Sequence, residues 1–198
     1  MTITLIREAD LPLSSWAGGT SREYYIYPQE ATYGKKDFLV RLSTAASNSD
    51  DPSAYTHLPG ITRHLIILEG TAKVVHEGQY ELCMKPYEPV DVFDGGWKTV
   101  GQGKVVDFNL MLGKGVQGRM SVIDSSRAFS AGAPKIAASH EWLGLFCAEG
   151  TAAITGTGKS FDLQKGDFLL LEDFSRKRPA LNIFLNGGKL IRLDAYLE

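Results

Sequence analysis

Apolar and polar residues alternate along most of this chain with a period of two, in short runs cut by Gly, Pro, Asn and Asp. On an extended strand successive side chains point to opposite faces, so the alternation marks strands with one buried face. Predicted strands are Glu23–Tyr27, Phe38–Thr44, His64–Leu68, Ala72–His76, Glu81–Met84, Val90–Phe93, Val105–Met111 and Met120–Ile123. Further along come Leu143–Cys147, Ala152–Thr155, Ser160–Leu163, Asp167–Leu171, Leu181–Phe184 and Leu190–Leu193. Turns such as Glu77-Gly78, Lys165-Gly166-Asp167 and Asn186-Gly187-Gly188 are short enough to join antiparallel neighbours. No stretch keeps an apolar stripe at helical spacing for three turns, and the one helical turn the sequence admits lies near Pro52–Tyr55. The chain reads as all-β, with strand spacing that favours a barrel or a sandwich.

A repeat organises these strands. Glu69-Gly70-Thr71-Ala72 recurs as Glu149-Gly150-Thr151-Ala152, 80 residues on. Each copy follows an apolar run and precedes a strand, a glycine turn and a second strand. The second strands, Tyr80-Glu81-Leu82 and Phe161-Asp162-Leu163, share an aromatic–acid–leucine order. Duplication accounts for the matching order of elements. Two similar β-barrels are expected, in residues 1–118 and 119–198.

Composition narrows the partners. Hydrophobic residues make up 43% and charged residues 22%, the balance of a folded chain rather than a disordered one. A formal net charge of −2 gives no overall attraction for nucleic acid or an anionic membrane, and neither is expected as a partner. The apolar runs Leu65–Leu68 and Phe168–Leu171 are too short to span a bilayer. The opening MTITLIREADL lacks the basic start and long apolar run of a secretory signal. A soluble cytoplasmic protein is expected. Cys83 and Cys147, outside any CxxC pair, read as buried free thiols in a reducing compartment.

Ordered motifs in the first half are more specific. They run Trp16-x-Gly18-Gly19-Thr20-x-Arg22-Glu23, then Phe38-x-x-Arg41-Leu42-Ser43-x-Ala45, then Pro59-Gly60-x-x-Arg63. Leu68-Glu69-Gly70, Phe93-x-Gly95 and Asp107-Phe108-Asn109-Leu110-Met111 follow. The set resembles the HutD/Ves family. The resemblance implies a bicupin, two packed antiparallel β-barrels of jelly-roll type in one chain, linked to histidine utilisation or stress responses and without a settled reaction. Ala17 stands where family members usually carry Asn, and their basic residues after the Asp-Phe-Asn segment are thinned to Gly113-Lys114-Gly115.

A cupin metal site needs three or four converging ligands, typically two His at i and i+2, a Glu soon after and a later His. Arg63–Gly70 offers His64 alone, and His140-Glu141-Trp142-Leu143 again lacks a paired His. His57 and His76 complete the histidines, and each of the four reads as a surface or hydrogen-bonded structural residue. No metal and no cofactor is expected. Gly156-Thr157-Gly158-Lys159-Ser160 resembles the end of a phosphate-binding loop, but Ala153 stands where that motif needs its first Gly. Its flanks read strand–turn–strand, so a hairpin turn is expected. No G-x-S-x-G elbow is present, and Ser175-Arg176-Lys177-Arg178 reads as a solvated basic loop.

The arginines carry the functional expectation. Alternation places Leu39, Arg41 and Ser43 on one face and Val40 and Leu42 on the other. An arginine facing a barrel interior requires an internal carboxylate or an anionic ligand. Glu23, Glu69 and Asp107 are candidate internal partners, and a structural ion-pair network is the plainer reading. The sharper one has two or more of Arg22, Arg41 and Arg63 converging on a small carboxylate, which planar guanidinium grips bidentately. The candidate ligand-binding set is Trp16, Thr20, Arg22, Arg41, Ser43, Arg63, Asp107 and Asn109, with Phe108, Leu110 and Leu112 in the core. The expected function is a non-catalytic sensor of a small anionic metabolite. The competing one is a metal-independent isomerase or hydrolase using Asp107, Glu23 or His57 as general base. Any edge strand left unpaired would admit a homodimer.

Overall fold

Strands follow one another almost without interruption in the computed structural model, which describes residues 1–130, 138–174 and 179–198. They are β1 (Thr2–Ile6), β2 (Ser14–Trp16), β3 (Gly19–Tyr27), β4 (Val40–Ser47), β5 (Ser53–Ala54), β6 (Thr62–Gly70), β7 (Ala72–His76), β8 (Tyr80–Met84) and β9 (Asp91–Asp94). Then come β10 (Thr99–Gln102), β11 (Val105–Leu112), β12 (Val116–Ile123), β13 (Arg127–Ser130), β14 (His140–Gly156), β15 (Lys159–Gln164), β16 (Phe168–Glu172) and β17 (Ala180–Leu197). A 3₁₀ turn covers Glu8–Asp10. The helical turn expected near Pro52–Tyr55 is instead the strand β5, drawn into pairing with β10. Gly156–Ser160 joins β14 to β15 as a hairpin. The basic run at 175–178 lies outside the described residues.

The chain divides into residues 11–114 and a second unit made of 1–10 with 115–198. The expected boundary at 118 therefore misplaced the first ten residues. Their run Thr2–Ile6 forms an antiparallel ladder on β16, Ile3 opposite Leu171 and Leu5 opposite Leu169. Arg7 anchors the end of that ladder through a 2.5 Å ion pair to the buried Asp167.

Residues 11–114 form a six-stranded sheet, β2-β3-β4-β11-β6-β9, and a four-stranded sheet, β5-β10-β7-β8. Leu65 and Ile67 of the larger sheet pack with Ala72, Val74 and Met84 of the smaller, so an apolar core lies between them. In the second unit the order is β1-β16-β14-β17-β12, with β15 on β14 and β13 on β17. The series β9-β6-β11-β4 thus reappears as β16-β14-β17-β12. The series β8-β7-β10-β5 reappears as β15-β14-β17-β13, because β14 and β17 are long enough to serve both halves.

Gly70 and Gly150 of the sequence repeat sit at the same corner, where a strand leaves one half for the other. Both take the left-handed backbone (φ 83° and 66°) that glycine adopts without strain. Among the described residues the strand pairings close no barrel, contrary to expectation. β9 bonds only to β6 and β8 only to β7, so the sheet edges stay apart. Of the two thiols, Cys147 is buried and Cys83 is exposed rather than buried, and neither forms a disulfide. No helix among the described residues is long and apolar enough to cross a membrane.

Candidate functional site

Three neighbouring strands of the larger sheet in the first unit aim polar side chains at one hollow. β4 turns Arg41, Ser43 and Ala45 toward it, and β11 turns Asp107, Asn109 and Met111. Their alternates Leu42, Phe108, Leu110 and Leu112 are sealed on the other face. β6 adds Arg63. Register brings the two guanidinium groups together: Met111 stands opposite Arg41 on one side of β11 and opposite Arg63 on the other. Residues of β5, β7 and β10 close the far side, and Tyr33, Tyr55 and Trp16 complete a cavity of about 410 Å³.

The arginines are stabilised differently. Arg41 gives Nε to Glu23 at 2.7 Å and Nη1 to Ser43 at 2.9 Å, with its guanidinium 4.2 Å above the Tyr33 ring. Arg63 gives Nη2 to the amide oxygen of Asn109 at 2.8 Å and lies 4.8 Å from the Tyr55 ring and 5.2 Å from the Phe93 ring. Its buried Nε has no hydrogen-bond partner. Cation–π contact offsets part of its desolvation, yet burial still lowers its pKa.

Asn109 in turn donates Nδ2 to Asp107 Oδ1 at 2.5 Å. Burial pushes the Asp107 carboxyl up to about 7, against the opposing charge of Arg63 and the Asn109 hydrogen bond. Burial, reinforced by Asp107, also raises the Tyr55 phenol, which stays protonated across the ordinary pH range.

Of the residues expected to bind ligand, Trp16, Arg41, Ser43, Arg63, Asp107 and Asn109 line this cavity. Thr20 and Arg22 do not. Ser21 lines the cavity and Glu23 reaches Arg41, so the alternation of β3 carries Thr20 and Arg22 to its other face. Tyr33 and Tyr55 were not anticipated, since they come from loops where no periodicity points to a face. Glu69 is exposed at the end of β6, and His57 is exposed outside the cavity.

His76 is sealed in the small sheet, with Nδ1 2.8 Å from Thr99 Oγ1 and Nε2 2.9 Å from Asp91 Oδ2. His140 contacts Asp173 and Glu172. No group of three or more His, Cys, Asp or Glu able to hold a metal ion occurs among the described residues.

These features define a cupin-like all-β protein. One solved structure with the same fold is the bacterial pirin of Escherichia coli in complex with nickel(II), at a TM-score of 0.65 and 10% identity over 98% of each chain. The HutD family model matches residues 8–185, and the chain belongs to the HutD family. The chain is similar to HutD from Pseudomonas fluorescens SBW25, at a TM-score of 0.77 and 18% identity with both chains fully covered. It is also similar to a conserved protein of unknown function from Pseudomonas aeruginosa PAO1, at 0.80 and 18% identity over 98% of this chain and 99% of that one. Identities this low carry the fold alone. No curated protein matches the chain.

Proposed function

We propose that this chain binds a small organic anion, a carboxylate foremost, in the cavity of its first unit. In this reading it is a non-catalytic cytoplasmic sensor or regulator connected with histidine utilisation or a stress response. The observation that carries the proposal is Arg63, a buried guanidinium whose hydrogen-bond partner is the neutral Asn109. A buried cation without a directly bonded carboxylate is costly, and a ligand carboxylate would answer it through two parallel hydrogen bonds. The repeated strand order supports a bicupin ancestry, two jelly-roll units of which the first keeps the cavity.

The test is the melting temperature of the wild type and of Arg63→Met with millimolar formate, urocanate, formylglutamate and related acids. A ligand that binds only the folded state raises the melting temperature, by several degrees at about a hundredfold excess over Kd. The shift should vanish in the variant while its fold persists. No shift with any acid rejects the proposal.

A second reading is favoured by one observation, the position of Asp107 in the cavity wall with its carboxyl held up to about 7. A general base works best with a pKa near the working pH. Asp107 would then serve a metal-independent isomerase or hydrolase acting on the bound carboxylate. Glu23 is committed to Arg41 and His57 lies outside the cavity. Chemical change in a carboxylate that binds, lost in Asp107→Asn, would favour this reading over the sensor.

A further inference from the structure

The carboxyl of Asp107 shares a cavity wall with two arginines yet bonds to neither. Arg63 reaches Asn109, Asn109 reaches Oδ1 of Asp107, and Oδ2 takes no hydrogen bond among the described residues. The charged and titratable groups around it are few. Arg63 faces it from β6 and Tyr55 from the loop after β5, while Asp91 at the start of β9 acts on the same Tyr55 phenol. Arg41 faces the cavity from β4 but is already held by Glu23 of β3 and by Ser43, and Tyr33 stacks beneath it. The residues directly opposite Asp107 in the ladder, Ala45 and Ile67, are apolar. Among the described residues, Arg63 is therefore the cation that offsets a negative charge on Asp107, beside the hydrogen bond from Asn109. An anion seated on Arg63 would take that compensation away and add a second negative charge beside the first.

We infer that Asp107 couples anion binding to proton uptake: the anion seats on Arg63 while the Asp107 carboxylate accepts one proton from solvent and becomes a neutral donor in the cavity wall. Charge balances in this step, since one anion and one proton enter together. Two carboxylates competing for one guanidinium cannot both stay ionised at low cost, and the protein's own carboxylate yields. The raised pKa of Asp107 sets the exchange near neutral pH, where small changes in acidity alter occupancy. The coupling rests on the anion-binding reading above.

Calorimetric titration with formate, fully ionised throughout, from about pH 5.5 to about pH 8.5 in buffers of different protonation enthalpy tests it. In the wild type the affinity should fall about tenfold for each pH unit above 7, with close to one proton taken up per formate at the alkaline end. Asp107→Asn should bind formate with a flat pH profile and no proton uptake. A flat profile in the wild type, or the same slope in the variant, overturns the coupling while leaving the anion site standing. No formate binding at any pH rejects the anion site and the coupling together. A carbon-13 label on aspartate carboxyls gives a readout in the unmutated protein. The Asp107 midpoint should rise by more than about two pH units with saturating formate, and a stationary midpoint refutes the inference.

Discussion

Arg41 and Arg63 lie two strands apart, are both buried, and meet the cost of burial by different means. Arg41 has a carboxylate in direct contact, so it matches the structural ion pair that the sequence also allowed. Arg63 has an amide and two aromatic rings. The pattern of β4 and β11 made Arg41, Ser43, Asp107 and Asn109 legible, because strict alternation tells which residues share a face. It also separated Phe108, Leu110 and Leu112 as core. On β3 the residues were grouped by motif instead. The face that alternation assigns there is Ser21 and Glu23, with a register shift following between Glu23 and Tyr25.

The acidity of Asp107 has a consequence for stability whose sign is fixed. Its midpoint is about 7 in the folded chain and about 3.9 in an unfolded one. Between those values the folded state holds the proton more tightly. Stability therefore falls as pH rises from about 4 to about 7, and this contribution is flat beyond. Asp107→Asn should remove the decline and be more stable than the wild type at about pH 8, by on the order of 1–3 kcal/mol. Denaturant midpoints at about pH 5 and about pH 8 measure it, and a variant less stable at both contradicts the assignment.

At the scale of elements, long strands with alternating burial were legible and several short strands were not. β2, β5, β10 and β13 span only two to four residues, too few for a period to show, and the five-residue β1 was likewise not read. The pairs Leu143–Cys147 with Ala152–Thr155, and Leu181–Phe184 with Leu190–Leu193, were read as separate strands, yet each pair forms one bent strand. The interruptions at Glu149-Gly150 and Asn186-Gly187-Gly188 look like turns in sequence. Here they are irregularities that let one strand change direction while keeping its partner.

The hairpin of β2 and β3, which carries Trp16 to the cavity, depends on a close approach at Gly19. A Cβ there would stand 1.8 Å from the carbonyl oxygen of Ala46 on β4. Backbone cannot yield as a side chain end can, so Gly19→Ala should cost about 1–3 kcal/mol and weaken carboxylate binding by displacing Trp16 and Ser21. Thermal unfolding and ligand titration of the variant check both effects, and wild-type values in both would show the strands can part at no cost.

For the whole molecule, the repeated strand order sets the two interiors side by side for comparison. In ladder register, Asp107 opposite Ile67 corresponds to Leu190 opposite Cys147, and Asn109 opposite Leu65 corresponds to Arg192 opposite Leu145. Two steps along the strand, Arg63 corresponds to Leu143. Leu143, Leu145, Cys147 and Leu190 are all fully buried in one apolar cluster. Where the first unit keeps a polar hollow, the second is filled, and leucine replaces the arginine and the aspartate. The repeated order of strands was legible from four identical residues, but this difference between the units was not, because it depends on register between distant strands. Leu143→Ala should cost about 2–5 kcal/mol and leave carboxylate affinity in the first unit unchanged. Chemical denaturation with ligand titration measures both, and an affinity that falls with the substitution would show that the second interior shapes the first.

The strand made from residues 2–6 completes a sheet whose receiving strand is residues 168–172. During synthesis residues 2–6 must wait, unpaired, while residues 11–114 emerge and gather into a unit of their own. Its alternation of Ile3 and Leu5 with Thr2 and Thr4 exposes few apolar side chains in that interval, which suits a segment that waits for its partner strand. The strand made later thus retrieves the one made earlier, and a chain halted before β16 would carry residues 2–6 unmated.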